Sequence, residues 1–244
     1  MKIAILWLCF LHLLILASAE RTLDPLDNHE QLADKISEHF YYKCYNQTKD
    51  LKVFQKLSND VSQFMRYLEY TFTFIPDRKQ IFCDSERKQL DLRIREITGD
   101  LRPCLSAQEA FLGDFIETSF REFTHFMCHN NGENIDILFS SRHRQCKAYM
   151  EEDNTSSDTY YCFGKMFRPL SGYITKKELC DDITVARKCM ATTIDIKCNA
   201  PDAYMDLNTR FFDYISKPCS GCTSQVSILL LALSVALAYL FGKN

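Results

Sequence analysis

The chain has 244 residues, 46% of them hydrophobic, with a formal net charge of −3 and 12 cysteines. A chain of this length buries a full core as one domain. With 32 acidic against 29 basic residues, it has no basic stripe to neutralise phosphates, which argues against a nucleic-acid partner.

In chain order, the first element is a leader. Lys2 is the only charge ahead of Glu20, Ile3 to Ala17 is almost wholly apolar, and Ala17-Ser18-Ala19 supplies the small residues of a cleavage site. Residues 1–19 therefore read as a secretory signal peptide. The run is shorter than the roughly 20 residues a membrane span needs.

Downstream of the leader, helical periodicity dominates. Asp27 with Glu30 forms a capping box ahead of a face built from Leu32, Ile36, Phe40 and Cys44. Leu51, Phe54, Leu57, Val61, Phe64 and Leu68 make a second stripe that stops before Pro76. A charged third helix, about 77–97, carries Ile81, Leu90, Ile94 and Ile97 and ends at Thr98-Gly99. Ser106 with Glu109 opens the longest stripe (Phe111, Phe115, Ile116, Phe123, Phe126, Met127), and Asn130-Asn131-Gly132 closes it. Shorter helices are expected near 133–151, 157–168, 175–197 and 201–216, with Thr175 and Glu178 as a third capping box and Pro218 just past the last helix. No stretch alternates as a strand would. The fold class is all-α: a disulfide-stabilised bundle of seven or eight helices forming one ectodomain over residues 20–220.

The C-terminus carries a second processing signal. Val226 to Phe241 is continuously apolar, but its ~24 Å falls short of a ~30 Å hydrocarbon core. No basic cluster succeeds it. Upstream lie the small residues Ser220, Gly221 and Cys222, then the polar Thr223-Ser224-Gln225. Small triplet, spacer and greasy tail match a glycosylphosphatidylinositol (GPI) attachment signal over 221–244, with Ser220 as the attachment residue and a single-pass helix as the alternative. Removing both ends discards Lys2 and Lys243 and leaves a net charge of about −5 (27 basic against 32 acidic residues). Sequons at Asn46 and Asn154 mark glycosylation positions, the second in the polar loop from Glu151 to Ser157.

Cleavage also removes Cys9 and Cys222. Cys44, Cys83, Cys104, Cys128, Cys146, Cys162, Cys180, Cys189, Cys198 and Cys219 remain. An even count in an oxidising compartment implies five bridges. Cys180, Cys189 and Cys198 stand nine residues apart, hence ~13 Å between neighbours on one helix, too far to pair with each other. Cys104 and Cys128 are excluded from pairing for the same reason. Cys146 and Cys162 flank Asn154 symmetrically and would face each other across an antiparallel helix pair.

The segments TGDLRPCLSAQE, FMCHNNGENIDILF, KELCDDITVARKC, KCNAPDAYMDLNTRFF and ISKPC, within residues 98–219, carry a cysteine order that resembles the insect 27 kDa haemolymph glycoprotein family. The resemblance covers about half of the chain and implies a secreted, cysteine-rich helical glycoprotein with no established enzymatic activity. The apolar tail after Cys219 departs from that pattern, so tethering is read from the tail alone.

Candidate chemistry is sparse. His125 and His129 of the segment HFMCH lie one helical turn apart, a spacing that can hold zinc, with Cys128 between them. No glutamate follows His125, no third ligand is evident, and an oxidising compartment favours a bridged Cys128, so no metal or cofactor is expected. There is no G-x-S-x-G and no phosphate loop. Neighbouring carboxylates such as Glu151-Glu152 and Asp181-Asp182 do not face each other on a helix. The aromatic stripe from Phe111 to Phe126, with Phe211, Phe212 and Tyr214, reads first as core and second as the lining of an apolar pocket. The expectation is a non-enzymatic, cell-surface interaction module with an unknown extracellular protein partner. The alternative is a carrier of small hydrophobic ligands, lipid or hormone.

Overall fold

The computed structural model describes residues 29–143, 145–146, 162, 173–198 and 202–222. Those residues are helical with short connections and contain no strand, as the periodicity required. We number the helices α1 (His29–Thr48), α2 (Leu51–Phe74), α3 (Arg87–Leu101), α4 (Phe111–Met127), α5 (His129–Phe139), α6 (Lys176–Lys197) and α7 (Asp202–Ile215).

Local chemistry sets the breaks. Between α1 and α2 the chain reverses at Lys49, which takes a left-handed φ of 56°. Asp50 then accepts from the backbone N–H of Lys52 at 2.9 Å and so caps α2. Ser106 and Glu109 form the capping box expected, although it first closes the 3-10 turn Ala107–Glu109, and α4 starts two residues on. Thr175 and Glu178 cap α6 in the same way. Between α4 and α5, Asn130, Asn131 and Gly132 are consecutively left-handed, with φ of 46°, 57° and 81°. Asparagine and glycine tolerate this backbone best. Gly132 is also required for space, because a Cβ there would lie 2.5 Å from Lys79 Cδ.

Three expected boundaries move. The third helix continues to Leu101, and its start is a short α-turn (Lys79–Ile81) followed by a π-turn (Phe82–Glu86). A π-turn holds an extra residue, so Phe82, fully buried, takes the inward position expected of Ile81, which is 52% exposed. The helix expected over 133–151 breaks at Ser140, whose ψ of 152° is extended and whose hydroxyl accepts from His143 N–H at 3.1 Å. Leu51 sits at the exposed start of α2 rather than on its inner face. The 157–168 helix and the Glu151–Ser157 loop fall outside the described residues, except for Cys162.

Helix α4 is central, packed against α3 on one side and α7 on the other; α1 pairs with α2, and α6 with α7. Its inner rings bridge the layers. Phe120 meets Phe64 of α2 edge-on at 5.7 Å, Phe123 stacks on Phe72 at 6.1 Å, and Phe126 meets Phe211 of α7 at 5.7 Å. These phenylalanines are core, apart from the half-buried Phe211 at its edge. Such ring pairs add about 1 kcal/mol each beyond area burial. A smaller separate cluster gathers Cys146, Ile194, Cys198 and Tyr204.

All ten expected cysteines are paired, as Cys44–Cys104, Cys83–Cys128, Cys146–Cys198, Cys162–Cys189 and Cys180–Cys219. The expected Cys146–Cys162 pair is wrong. Cys198 comes from the far end of α6 to meet Cys146, and Cys162 docks on the middle of that helix at Cys189. The exclusions drawn from helix rise hold, since each cysteine of α6 pairs off the helix.

Candidate functional site

The described residues separate into structural polar sites and surface features that could meet a partner. Among the polar sites the most constrained is Glu109. Its position as the third residue of a capping box turns the carboxylate back toward Ser106, where it accepts from the hydroxyl at 2.7 Å and from the backbone N–H at 3.3 Å. The same fully buried carboxylate also accepts from Ile174 N–H at 3.1 Å and pairs with Lys43 Nζ of α1. Burial pushes the carboxyl up, but the Lys43 ammonium, the Ile174 amide and the Ser106 hydroxyl outweigh it and hold the group below the usual carboxylate range. Glu109 is thus a peg joining α1, the start of α4 and the strap into α6. Its partners lie 65 and 66 residues away, and no local spacing announced them.

The HFMCH segment does not assemble as a ligand set. Cys128 is bridged to Cys83. His129 Nδ1 lies 3.4 Å from the Tyr214 hydroxyl, while His125 is exposed on the α3 side of α4. Partial burial, and after it the nearby Arg87 charge, hold His125 below the usual histidine value. Among the described residues no group of three or more His, Cys, Asp or Glu side chains is placed to hold a metal. Of the carboxylate pairs, Asp181 bonds Lys177 at the surface while Asp182 turns into the core, so the two point apart.

Of the expected modification positions, Asn46 and Ser220 fall among the described residues, and both are exposed. Asn46 is exposed in the last turn of α1; the hydroxyl of its sequon threonine, Thr48, donates to Cys44 O at 2.8 Å. Ser220 is exposed in the 3-10 turn Lys217–Cys222 and donates to Lys217 O at 2.6 Å. That turn is clamped to the body by Cys180–Cys219 and by Lys217, which reaches Glu122 at 2.5 Å and lies 4.3 Å over the Tyr214 ring. Asn154, residues 1–19 with the expected leader, and the tail from Thr223 onward lie outside the described residues. Among the described helices none is long and apolar enough to cross a membrane.

Most of the large phenylalanines face inward and several tyrosines face outward, with Tyr204, 3% exposed, and Phe74, 39% exposed, as exceptions. Phe64, Phe82, Phe120, Phe123, Phe126 and Phe212 are at most 1% exposed, whereas Tyr42, Tyr45, Tyr70 and Tyr173 are 42–55% exposed. Tyr70 and Phe74 stand side by side at 5.0 Å near the end of α2, with the Arg78 guanidinium 5.5 Å from the Phe74 ring. The sequence count of aromatics carried no hint of which would face outward.

Neither the curated proteins nor the solved structures offer a match to this chain. A family model does match, over residues 37–222, a span that holds all ten bridged cysteines and extends well upstream of the half on which the cysteine resemblance rested. That model describes a protein of unknown function, DUF1397, and the chain belongs to this family.

Proposed function

We propose that this protein is a non-enzymatic interaction module displayed outside the cell: an N-glycosylated helical ectodomain tethered through a GPI anchor at Ser220. In this reading its cysteine order relates it to the insect 27 kDa haemolymph glycoproteins, with the apolar tail converting a plasma-type domain into a surface-bound one.

The observation that carries the interaction reading is the sorting of aromatics. The phenylalanine stripe is consumed by packing against itself, which removes the side chains a carrier would use to line its ligand. Tyr42, Tyr45, Tyr70 and Tyr173 stay outside, where an amphipathic ring can bury area on a partner at low entropic cost. The Tyr70–Phe74–Arg78 group combines residue types enriched at binding hot spots. Five bridges support export, because paired sulfurs persist in an oxidising compartment.

Phosphatidylinositol-specific phospholipase C applied to cells expressing the full chain tests the tether. Release into the medium is the expected result; retention on washed membranes favours a spanning helix. Mass spectrometry of lipids extracted from the purified protein tests the module against the carrier. A lipid recovered at one per chain would overturn the interaction reading.

A further inference from the structure

Helices α3 and α4 run antiparallel, fastened at one end by Cys83–Cys128 and at the other by Arg102, which reaches Asp114 at 2.9 Å and Glu117 at 2.7 Å. Thr98 adds a bond to Glu117 at 2.6 Å. Between these fastenings the charge balance changes sign. Arg87, Asp91 and Arg95 stand at i, i+4 and i+8 on one face of α3; the charge of Arg121 on α4 acts on the same carboxylate, and Lys217 pairs with Glu122 beside His125. Four permanent cations therefore face two acids in a chain whose overall charge is −3. Glu122 is already taken by Lys217. Among the described residues, Arg87, Arg95 and Arg121 have no ion pair, so the three guanidinium groups share one carboxylate, Asp91. That carboxylate is half-buried, and its Oδ1 is without a hydrogen-bond partner among the described residues.

Three guanidinium groups around one carboxylate leave a local excess of positive charge that an anionic partner can neutralise. The guanidinium fork matches sulfate and phosphate oxygens in two parallel bonds. Arg87 and Arg95 are eight residues apart on one helix, hence ~12 Å along the groove, so an occupant spanning both must be extended and must carry repeated anionic groups.

We propose that the α3–α4 groove, through Arg87, Arg95 and Arg121, binds a linear sulfated polysaccharide. The assignment of the polyanion rests on the extracellular placement proposed above; the cationic groove itself does not. A sulfated chain presents permanently ionised oxyanions at intervals along an extended backbone and demands no apolar pocket, which suits an open groove between two helices. Acidification sharpens the fit. Burial raises the Asp91 carboxyl against the pull of Arg87, His125, Arg121 and Arg95, and burial with Arg87 lowers His125 against Glu122 and Asp91. As pH falls, Asp91 loses its negative charge early and His125 gains a positive one late, and both changes make the groove more cationic.

The test is binding of heparin to the full chain, expressed in animal cells and purified in the form those cells produce, as a function of salt and pH. Joint replacement of Arg87, Arg95 and Arg121 by Gln is expected to weaken binding about 100-fold and to lower the slope of log K against log salt by about three, one per lost contact. Replacing Lys52, Arg66 and Lys188, cations elsewhere on the surface, removes the same net charge and should leave the affinity within about twofold if the groove, and not bulk charge, does the binding. Asp91→Asn is expected to tighten binding several-fold, a gain that misfolding cannot imitate. Undiminished binding by the triple glutamine variant, or equal loss in the control variant, would overturn the proposal. Phosphatidylserine vesicles captured as tightly as heparin would overturn it in favour of a membrane surface. Phospholipase release of the protein from cells is measured separately, so an absent anchor and an inactive groove give different results.

Discussion

The body of the bundle and the small cluster at its edge are stabilised by different means. In the body, Phe64, Phe120, Phe123, Phe126 and Phe212 are almost wholly buried and touch across three helices; the Cys44–Cys104 bridge is submerged among them. At the edge, Cys146, Ile194, Cys198 and Tyr204 form the buried set, with Ile137 and Met205 against them. Two of those four residues are themselves a disulfide. Where burial is extensive, the sulfur bridge is reinforcement. Where few apolar side chains are available, the bridge supplies both the constraint and much of the apolar surface.

The largest effect expected from breaking this contrast is in the body. Phe123→Ala removes a ring that meets Phe72, Phe120 and Phe211 and should cost about 4 kcal/mol in denaturant unfolding. The whole transition should shift, because α4 belongs to every layer.

Glu109→Gln comes next, at about 3 kcal/mol, since Lys43 would keep its charge in a nearly buried site without a carboxylate. The sign of the pH dependence comes from the lowered carboxyl. Ionised Glu109 stabilises the fold at pH above the ordinary carboxylate range, and that contribution fades as pH drops through its lower folded value. The gap in Tm between wild type and Glu109→Gln should therefore narrow on acidification.

Paired replacement of Cys146 and Cys198 by serine should cost about 2 kcal/mol, and mostly locally. Amides around Ile194 and Tyr204 should lose exchange protection while those of α4 keep theirs. Uniform loss across both regions would show that the two are one cooperative unit. The smallest effect belongs to the exposed ion pair of Arg187 with Asp213 at 2.7 Å, which links α6 and α7; Arg187→Ala should change stability by less than about 0.5 kcal/mol.

What could be read from the sequence tracks how local each determinant is. The Ser106–Glu109 and Thr175–Glu178 boxes and the Asn130-Asn131-Gly132 reversal act within four residues and are legible in the sequence itself. The inner faces of α2 and α4 emerge from periodicity, because those helices keep one register throughout. Ile81 is misplaced by periodicity because the π-turn shifts the register by a residue, and no residue type signals such a turn. Cys146–Cys162 is mispaired by assuming a hairpin centred on Asn154; the true partner of Cys146 depends on where the end of α6 lands. The cationic groove is invisible for a similar reason. Arg87, Arg95 and Arg121 are scattered along an acidic chain and gather only when α3 and α4 lie antiparallel.

The most direct test is a non-reducing peptide map of the protein recovered from expressing cells, with free thiols blocked before digestion. The pairs Cys44–Cys104, Cys83–Cys128, Cys146–Cys198, Cys162–Cys189 and Cys180–Cys219 should be found intact, with none of these ten residues alkylated. Alkylation at most of them would contradict both the bridged fold and the exported interaction module built on it.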